Sequence, residues 1–449
     1  MNKMKINKAT NKLLNWIKTW EINDGAYNGY VIHRGDSKRL KYIHDTPWSQ
    51  GPIIQGLINI YNRTQDETYY KEAKKAVKVQ MKRLNSNGSY DYAGFEDDRF
   101  SSLVHNSLAN CALLEFAKLE KEINNESILF MDIMSTVKTN IDEYLIKILW
   151  DENYGAFKFS AIDYYSLGQD RFVANMNSVA VESLIIFYEL TNNEEYLNYA
   201  LRIGEWILTQ KVQKEGLLYG AISYAQTHPD MIVSIYTALA LRGIDDLYRI
   251  TNDVRYKNMM IDAVEHLYRL IENDLFYHAS YDGELRKEPY FIAGIGLILK
   301  AIEDVNISCN TKYPLNNIID RILSKQTNIG GIKSFLAYNG KGNGRKNGNK
   351  NLEVWEDSSL VMGWNAHAFE FLSRHVTGEF KFRKIVKKYI NIKWNYIYIE
   401  TTKRIFVLNI WPIKSMILLY INKKKEKSII SLNALNIYSS IRKFINCKK

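Results

Sequence analysis

The chain has 449 residues, of which 46% are hydrophobic and 24% are charged, a globular composition too long for a single small core. The net charge of +11 is unevenly distributed, because residues 381–449 carry 17 Lys/Arg and only 2 acidic residues, whereas the first 380 residues carry 43 basic and 47 acidic residues. The main part of the chain is therefore mildly acidic and lacks the basic footprint of a nucleic-acid-binding protein, so we expect no nucleic-acid partner.

The cysteines and the N-terminus bear on the compartment. Cys111, Cys309 and Cys447 are far apart and odd in number, so they predict neither a disulfide framework nor a metal site. Residues 1–14 are polar and rich in Lys, without the apolar run of a signal peptide. These features favour a cytoplasmic protein with reduced thiols and an intracellular substrate.

In chain order, a short segment of Gly and aromatic residues recurs about every 60 residues. The six copies are Asn23–Tyr30, Asn87–Tyr92, Tyr154–Phe159, Glu215–Gly220, Asn273–Tyr277 and Gly330–Phe335. Each copy predicts a turn that leads into a short extended stretch.

A helical pattern with apolar residues at i, i+3, i+4 and i+7 follows each of these segments. The six stretches are Ile53–Tyr61, Leu103–Leu119, Val179–Leu190, Ile232–Leu247, Ile292–Ile302 and Val361–Ser373. A second, more charged helix follows in the first five repeats, for example over Glu67–Leu84 and Glu194–Val212. The sixth repeat lacks one, and we expect the amphipathic stretch Ile6–Trp20 to dock beside Val361–Ser373 and close a ring of six hairpins.

This layout resembles the six-hairpin glycosidase superfamily, whose members are (α/α)6 toroids. The resemblance covers residues 5–376 and includes hairpin sequences such as Thr191–Ala200. It implies an all-α toroid over residues 1–376, with short extended segments between the repeats, followed by a basic amphipathic extension over residues 377–449. It also implies sugar chemistry in the loops that precede the inner helices on one face of the ring.

Three residues in those loops are candidate catalytic groups. His44-Asp45, just before the first inner helix, is similar to the His-Asp of unsaturated glucuronyl hydrolases, and Asp98 lies one repeat later, where that family has its second Asp. Two carboxyl groups could protonate the leaving oxygen and supply or activate the nucleophile. His105, on an otherwise apolar helix, is the third candidate. The alternatives are that both Asp residues stabilise helix N-termini and that His105 makes a structural hydrogen bond.

Further residues of the same loops are candidate substrate ligands. They are His44, Trp48, Arg99, Asn177, His228, Arg286, Tyr290, Trp355 and Trp364. Arg can hold a uronate carboxylate through two hydrogen bonds, and Trp packs against the C–H face of a sugar. His228 and Tyr290 could act as a base near a sugar proton. Surface ion pairs and core packing are the alternatives for the Arg and Trp residues.

Metal and cofactor motifs are missing from the sequence. There is no His-x-x-x-His, Cys-x-x-Cys or calcium-loop pattern, and the Gly-rich stretch over residues 339–350 is not followed at once by a helix. We therefore expect no metal and no cofactor, and we interpret residues 339–350 as a flexible loop.

The extension supports two interpretations. Residues 381–388 form a basic amphipathic stretch, and Ile405–Ile421 is apolar but too short and too interrupted to span a membrane. The segment could contact an anionic membrane surface peripherally, or it could be a small packed subdomain.

The sequence thus predicts a glycoside hydrolase that acts on a neutral or uronate-containing oligosaccharide or polysaccharide. A uronate lyase or C5-epimerase is the first alternative, and a non-catalytic toroid that binds a glycan or a protein is the second. A lipid or terpene enzyme is disfavoured, because the loops lack an Asp-x-Asp-Asp motif.

Overall fold

The structure is a computed structural model of the chain. It describes residues 3–22, 25–27, 29–31, 41–43, 47–90, 101–124, 126–161, 171–225, 227–277, 279–281, 284–286, 290–336, 360–380, 389–393, 396–400, 404–409, 416–421 and 427–431. For the strands between residues 389 and 431, and for several strand residues elsewhere, including Arg286, only the backbone is described.

Six helices form a closed inner ring, which confirms the predicted toroid. They are α2 (Pro47–Thr64), α4 (Leu103–Ile123), α6 (Ala174–Thr191), α8 (Ser234–Thr251), α10 (Ile295–Ser308) and α12 (Met362–Ser373). Each packs against the next in the chain, and α12 packs back against α2. These helices are buried on nearly all sides because they touch two neighbours, an outer helix and the centre of the ring.

The outer layer consists of six further helical elements. They are α1 (Lys3–Lys18), α3 (Glu67–Met81), α5 (Ile128–Thr139) with its π-helical continuation over Asn140–Leu149, α7 (Glu194–Leu208), α9 (Val254–Arg269) and α11 (Asn316–Leu323). As predicted, α1 packs against α12 and completes the sixth hairpin. Asn7 Nδ2 donates to Thr377 Oγ1 at 2.7 Å, and the Thr377 backbone N–H donates to Asn7 Oδ1 at 3.1 Å.

Short connections join the first five inner helices to their outer partners on one face of the ring. After α6 and α8 the chain reverses through the left-handed residues Asn192 and Asn252, at φ of 56° and 58°. Asn193 and Asp253 then cap α7 and α9 by accepting hydrogen bonds from the backbone N–H groups two residues later. The inner helices consequently begin on the opposite face, which we call the mouth.

Short strands at the mouth confirm the predicted extended segments. They are β1 (Glu21–Ile22), β2 (Ala26–Tyr27), β3 (Gly29–Val31), β4 (Lys41–Ile43), β5 (Trp150–Asp151), β6 (Ala156–Phe157), β7 (Ile232–Val233), β8 (Ile271–Glu272), β9 (Leu275–Phe276), β10 (Ala279–Tyr281), β11 (Glu284–Arg286), β12 (Tyr290–Phe291) and β13 (Phe335–Leu336). Antiparallel pairs form within repeats, as in β1–β2, β5–β6 and β8–β9, and between repeats, as in β10–β7 and β12–β13. The pairs between repeats tie neighbouring hairpins together around the mouth.

A buried asparagine near the start of three inner helices holds the extended segment of its own repeat. Asn177 Oδ1 accepts from the Phe157 backbone N–H at 2.8 Å, and its Nδ2 donates to the Phe157 carbonyl at 3.0 Å. Asn365 bonds Ile332 in the same way, and Asn106 Oδ1 accepts from the Tyr90 N–H. We call these three residues the asparagine latches.

The predicted sugar contact of Asn177 does not fit this position. The residue has no exposed surface, and both ends of its amide bond backbone groups, including the Val173 carbonyl. A buried amide whose partners are all backbone atoms has no atom left for a ligand. Asn177 therefore positions the mouth segment and does not contact substrate.

The extension contains a five-stranded antiparallel meander that the sequence interpretation did not anticipate. Its strands, in spatial and chain order, are β14 (Tyr389–Lys393), β15 (Tyr396–Glu400), β16 (Arg404–Asn409), β17 (Met416–Ile421) and β18 (Lys427–Ser431). The apolar run predicted over Ile405–Ile421 divides into β16 and β17, and Pro412 falls between them in the sequence, as expected for a residue that cannot donate to a ladder. No helix within the described parts of the chain is long and apolar enough to cross a membrane.

Candidate functional site

The first turns of the inner helices surround the centre of the mouth. We call these six stretches the collar, and they are residues 47–50, 103–106, 174–177, 234–237, 295–298 and 362–365. The collar contains no Asp, Glu, Lys or Arg, and His105 is its single histidine. Outer helices α3 and α7, in contrast, begin with Glu in their first turns. The collar is thus an uncharged surface of aromatic, amide and aliphatic groups.

Two tryptophans predicted to bind sugar meet in the collar. The rings of Trp48 and Trp364 pack edge to face, with centroids 4.9 Å apart and an interplanar angle of 80°. Phe291 packs against Trp364 with centroids 5.3 Å apart. Both indoles remain partly exposed. Gly363 makes the pairing possible, because a Cβ at that position would overlap the Trp48 ring.

His105, the predicted catalytic histidine, lies on α4 in the collar and is partly exposed. Its Nδ1 lies 2.8 Å from Ser102 Oγ, which fixes one side of the ring. Burial among protein groups lowers the pKa of His105 to about 3, so the imidazole is neutral at ordinary pH. A neutral imidazole can accept a proton or a hydrogen bond, but it cannot supply a positive charge.

Asn175 is a collar residue that the sequence did not single out as a ligand. It is 4% exposed, and its Oδ1 has no hydrogen-bond partner among the described residues. It shares a helix face with Glu182 and Glu189, seven and fourteen residues later, whose partners lie on neighbouring inner helices. An orphaned acceptor of this kind is destabilising by about 1–3 kcal/mol unless a ligand or water donates to it.

Three other predicted sugar ligands, Tyr290, His228 and Arg286, lie in the described part of the chain. Tyr290 Oη donates to Glu272 Oε2 at 2.9 Å, so its hydroxyl is engaged by the preceding repeat segment. His228 is exposed in a tight turn, with Nδ1 3.1 Å from Thr227 Oγ1. Arg286 lies in β11, where its side chain is outside the description.

Five predicted site residues fall outside the described residues. They are His44, Asp45, Asp98, Arg99 and Trp355. The paired-carboxylate proposal for Asp45 and Asp98 thus stays a prediction. Within the described ranges, no group of three or more His, Cys, Asp or Glu side chains could hold a metal ion.

Below the collar, charged side chains meet in the centre of the ring. Arg242 on α8 donates to both oxygens of Glu182 on α6 at 2.6 and 2.7 Å, and its Nη1 lies 3.8 Å from Glu370 on α12. Burial opposes ionisation of Glu370, but the positive charge of Arg242 prevails and lowers the pKa of that carboxyl to about 2. His367 Nδ1 lies 3.4 Å from Glu370 and beneath the Trp364 ring. We call Glu182, Arg242, Glu370 and His367 the bore network.

The sequence contains a pattern that indicates the bore network. Glu182, Arg242 and Glu370 each lie eight residues after the first residue of their helix, inside an otherwise apolar run. Cys111 occupies the same position of α4 and is also buried. Isolated charges at one position of a repeated apolar helix predict that the charges meet in the centre of the ring.

A second charged layer lies nearer the face of the short turns. Arg249 Nη2 donates to Asp246 Oδ1 at 2.8 Å and also pairs with Glu189, which Lys118 reaches at 3.2 Å. Burial, and next the charge of Glu182, raise the pKa of Asp246 to about 7. The centre of the ring is thus filled by ion pairs below an uncharged collar.

Comparison with known proteins identifies the fold. No protein-family model and no curated protein sequence matches the chain. Among solved structures, it is similar to cellobiose 2-epimerase from Bacillus thermoamylovorans, with a TM-score of 0.62 and 12% identity, over 83% of this chain and 100% of that one. An unsaturated glucuronyl hydrolase from Streptococcus agalactiae has a TM-score of 0.59 and 14% identity, over 83% of this chain and 92% of that one.

An α-1,6-mannanase from Salegentibacter is similar at a TM-score of 0.55 and 13% identity, over 82% of this chain and 98% of that one. The names of these three enzymes refer to different sugars and include both an epimerase and a hydrolase. The likeness, which spans nearly the whole of each structure, therefore concerns architecture. The chain has the (α/α)6 toroid fold, which these solved structures share.

Proposed function

We propose that the chain is a carbohydrate-active enzyme whose substrate binds at the collar. The observation that carries this proposal is the pair of partly exposed indoles of Trp48 and Trp364 at the mouth of the ring. Indole faces pack well against sugar C–H groups, and a concave site with a few convergent polar groups is the usual form of a small-molecule site. Solved proteins of this fold that act on sugars support the assignment.

Within this proposal, glycoside hydrolysis is the leading reaction. Asp45 would act with Asp98, one protonating the leaving oxygen and the other supplying or activating the nucleophile. In the sequence, Asp45 precedes the first residue of α2 by two positions and the collar residue Trp48 by three. The substrate would be an oligosaccharide or a polysaccharide end.

Proton abstraction from a sugar, as in epimerisation or elimination, is the second candidate. The position of His105 in the collar, where Ser102 Oγ holds one side of its ring, favours this candidate, because a base must lie within hydrogen-bond reach of the proton that it removes. A non-catalytic glycan-binding toroid is the remaining alternative, in which neither Asp45 nor His105 would be needed.

One experiment separates these reactions. The native chain and the variants Asp45→Asn, Asp98→Asn and His105→Gln are incubated with neutral and uronate oligosaccharides. New reducing ends report hydrolysis, absorbance of an unsaturated uronate reports elimination, and altered stereochemistry reports epimerisation. We expect hydrolysis that both Asp variants lose, and the exposed α5 variant Asp132→Asn serves as the matched control. Binding of sugars without conversion by any form would contradict the enzyme assignment.

The cytoplasmic location and a peripheral membrane contact of residues 377–449 also stay predictions. Co-sedimentation of the full chain with anionic and with neutral vesicles tests the contact. Binding to anionic vesicles that falls with salt would support it.

A further inference from the structure

The collar presents uncharged groups to whatever enters the mouth. The first cation on any inner helix is Lys300, five residues after the start of α10, and the next is Arg242, eight residues after the start of α8. A helix rises about 1.5 Å per residue, so these cations lie roughly 7 to 12 Å below the helix starts. A ligand held at the collar would not reach them directly.

The cations deeper in the ring also form ion pairs with carboxylates of the protein. Arg242 is shared by Glu182 and Glu370, and Lys300 Nζ lies 3.0 Å from Asp304. On α4 and α8, Lys118 and Arg249 pair with acids on their own and neighbouring helices. Recruiting Arg242 for a substrate carboxylate would leave the buried acids Glu182 and Glu370 without their partner, which is strongly unfavourable.

The helix N-termini of the collar could attract an anion through their partial positive charge. At three of these helices, however, a backbone donor at the helix start is already occupied. The Leu103 and Ala174 N–H groups donate to the carbonyls of Phe159 and Tyr224 at 2.8 and 3.0 Å, and the Val361 N–H, just before α12, donates to Ser334 Oγ at 2.8 Å. Contacts with the mouth segments therefore use some of the groups that an anion would need.

Two collar features fit hydroxyl groups. Asn175 Oδ1 lacks a donor among the described residues, and a sugar hydroxyl can donate where a carboxylate cannot. The indoles of Trp48 and Trp364 provide apolar faces for a pyranose ring.

From these observations we infer that the sugar unit bound at the collar is a neutral hexose and not a uronate. This inference rests on the proposed function and selects its substrate class. A neutral sugar has no carboxylate, so Arg99 and Arg286 would not have the uronate-binding role at the collar that the sequence predicts for them. The preference comes from desolvation, because a carboxylate would lose its water without gaining a positively charged partner among the collar residues.

The test uses matched methyl glycosides that differ only at C6, as CH2OH or carboxylate, in gluco, galacto and manno configurations. Binding to the native chain is followed by tryptophan fluorescence and by calorimetry. We expect at least tenfold tighter binding of the neutral member of the pair that binds best. Equal or tighter binding of the uronate would overturn the inference and leave the proposed function standing. No binding of any sugar would overturn both.

A charge-insertion variant sharpens the test. Asn175→Lys places a cation in the collar, and we expect the ratio of uronate to neutral affinity to rise by tenfold or more. The exposed variant Asp132→Lys, on the outer helix α5, should leave the ratio unchanged because it is remote from the collar. A ratio that moves equally in both variants would show that the general charge of the protein, and not the collar, sets the preference, and would overturn the inference.

Discussion

Arg242 and Glu182 form a two-hydrogen-bond ion pair between neighbouring inner helices, with donor–acceptor distances of 2.6 and 2.7 Å. The guanidinium also faces Glu370 on α12, the inner helix opposite α6 in the ring. One cation therefore joins α6, α8 and α12 below the mouth.

We expect Arg242→Met to lower the free energy of unfolding by about 3–5 kcal/mol, because two buried carboxylates lose their cation. Urea unfolding at pH 7 measures the loss. Arg255→Met is the matched control, since Arg255 pairs with Glu205 and Asp253 in the open and should contribute little. A loss no larger than that of the control would contradict this account of the bore network.

Asp246 should make stability fall as pH rises. Its pKa is raised to about 7 in the folded chain, above the ordinary value of 3.8 that it regains on unfolding. The folded chain thus holds the proton more tightly, and this contribution is fully present below about pH 4 and is lost as pH rises through 7. Asp246→Asn should flatten this dependence, as measured by urea unfolding between pH 5 and 8. Parallel curves for variant and native chain would show that other groups cause it.

Removing an asparagine latch should destabilise the mouth. Asn177→Ala leaves the buried N–H and C=O groups of Phe157 without partners, and we expect a loss of about 3 kcal/mol by urea unfolding. Asn62→Ala, at an exposed position of α2, is the control. If the two variants unfold alike, the latch is not a determinant of stability.

Gly363→Ala should displace the Trp48 indole, which a Cβ at this position would overlap. We expect a tenfold or greater loss of affinity for the neutral sugar, because the displaced Trp48 indole would no longer pack against the sugar. Gly378→Ala is the control, since its nearest neighbour, the Arg63 carbonyl, would lie 3.4 Å from the added carbon. Unchanged sugar binding in a folded Gly363→Ala chain would remove Trp48 from the proposed site.

The ring was predictable from the sequence because each inner helix repeats one apolar pattern. The apolar pattern predicts all six inner helices, and the place beside α12 is the one position in the ring that remains for the N-terminal helix. The first of these helices begins at Pro47. The apolar pattern predicts a start six residues later, at Ile53, because the polar residues Ser49 and Gln50 interrupt the apolar run. Gln50 is nevertheless buried, since its amide bonds the Gly25 and Ala76 carbonyls.

The site was less predictable, because a polar residue near a helix start can serve the backbone or a ligand. Asn175 and Asn177 are two positions apart, yet Asn177 bonds only the backbone, whereas the side-chain oxygen of Asn175 has no partner among the described residues. Periodicity does not distinguish them, since the difference depends on which strand lies opposite. The meander of the extension was missed for a related reason: its strand pairing depends on contacts between segments, and a basic stretch followed by a broken apolar run does not specify them.

The contact between Asn7 and Thr377 makes the two ends of the toroid neighbours in space. Linking residue 377 to residue 3 without the extension, and opening the chain between Asn192 and Asn193, would keep every helix and every inner-ring contact and would divide only the α6–α7 hairpin. Assembly of the ring thus does not depend on which of its helices comes first in the chain. A circularly permuted chain should assemble the same ring, with α7 as its first helix and α6 as its last.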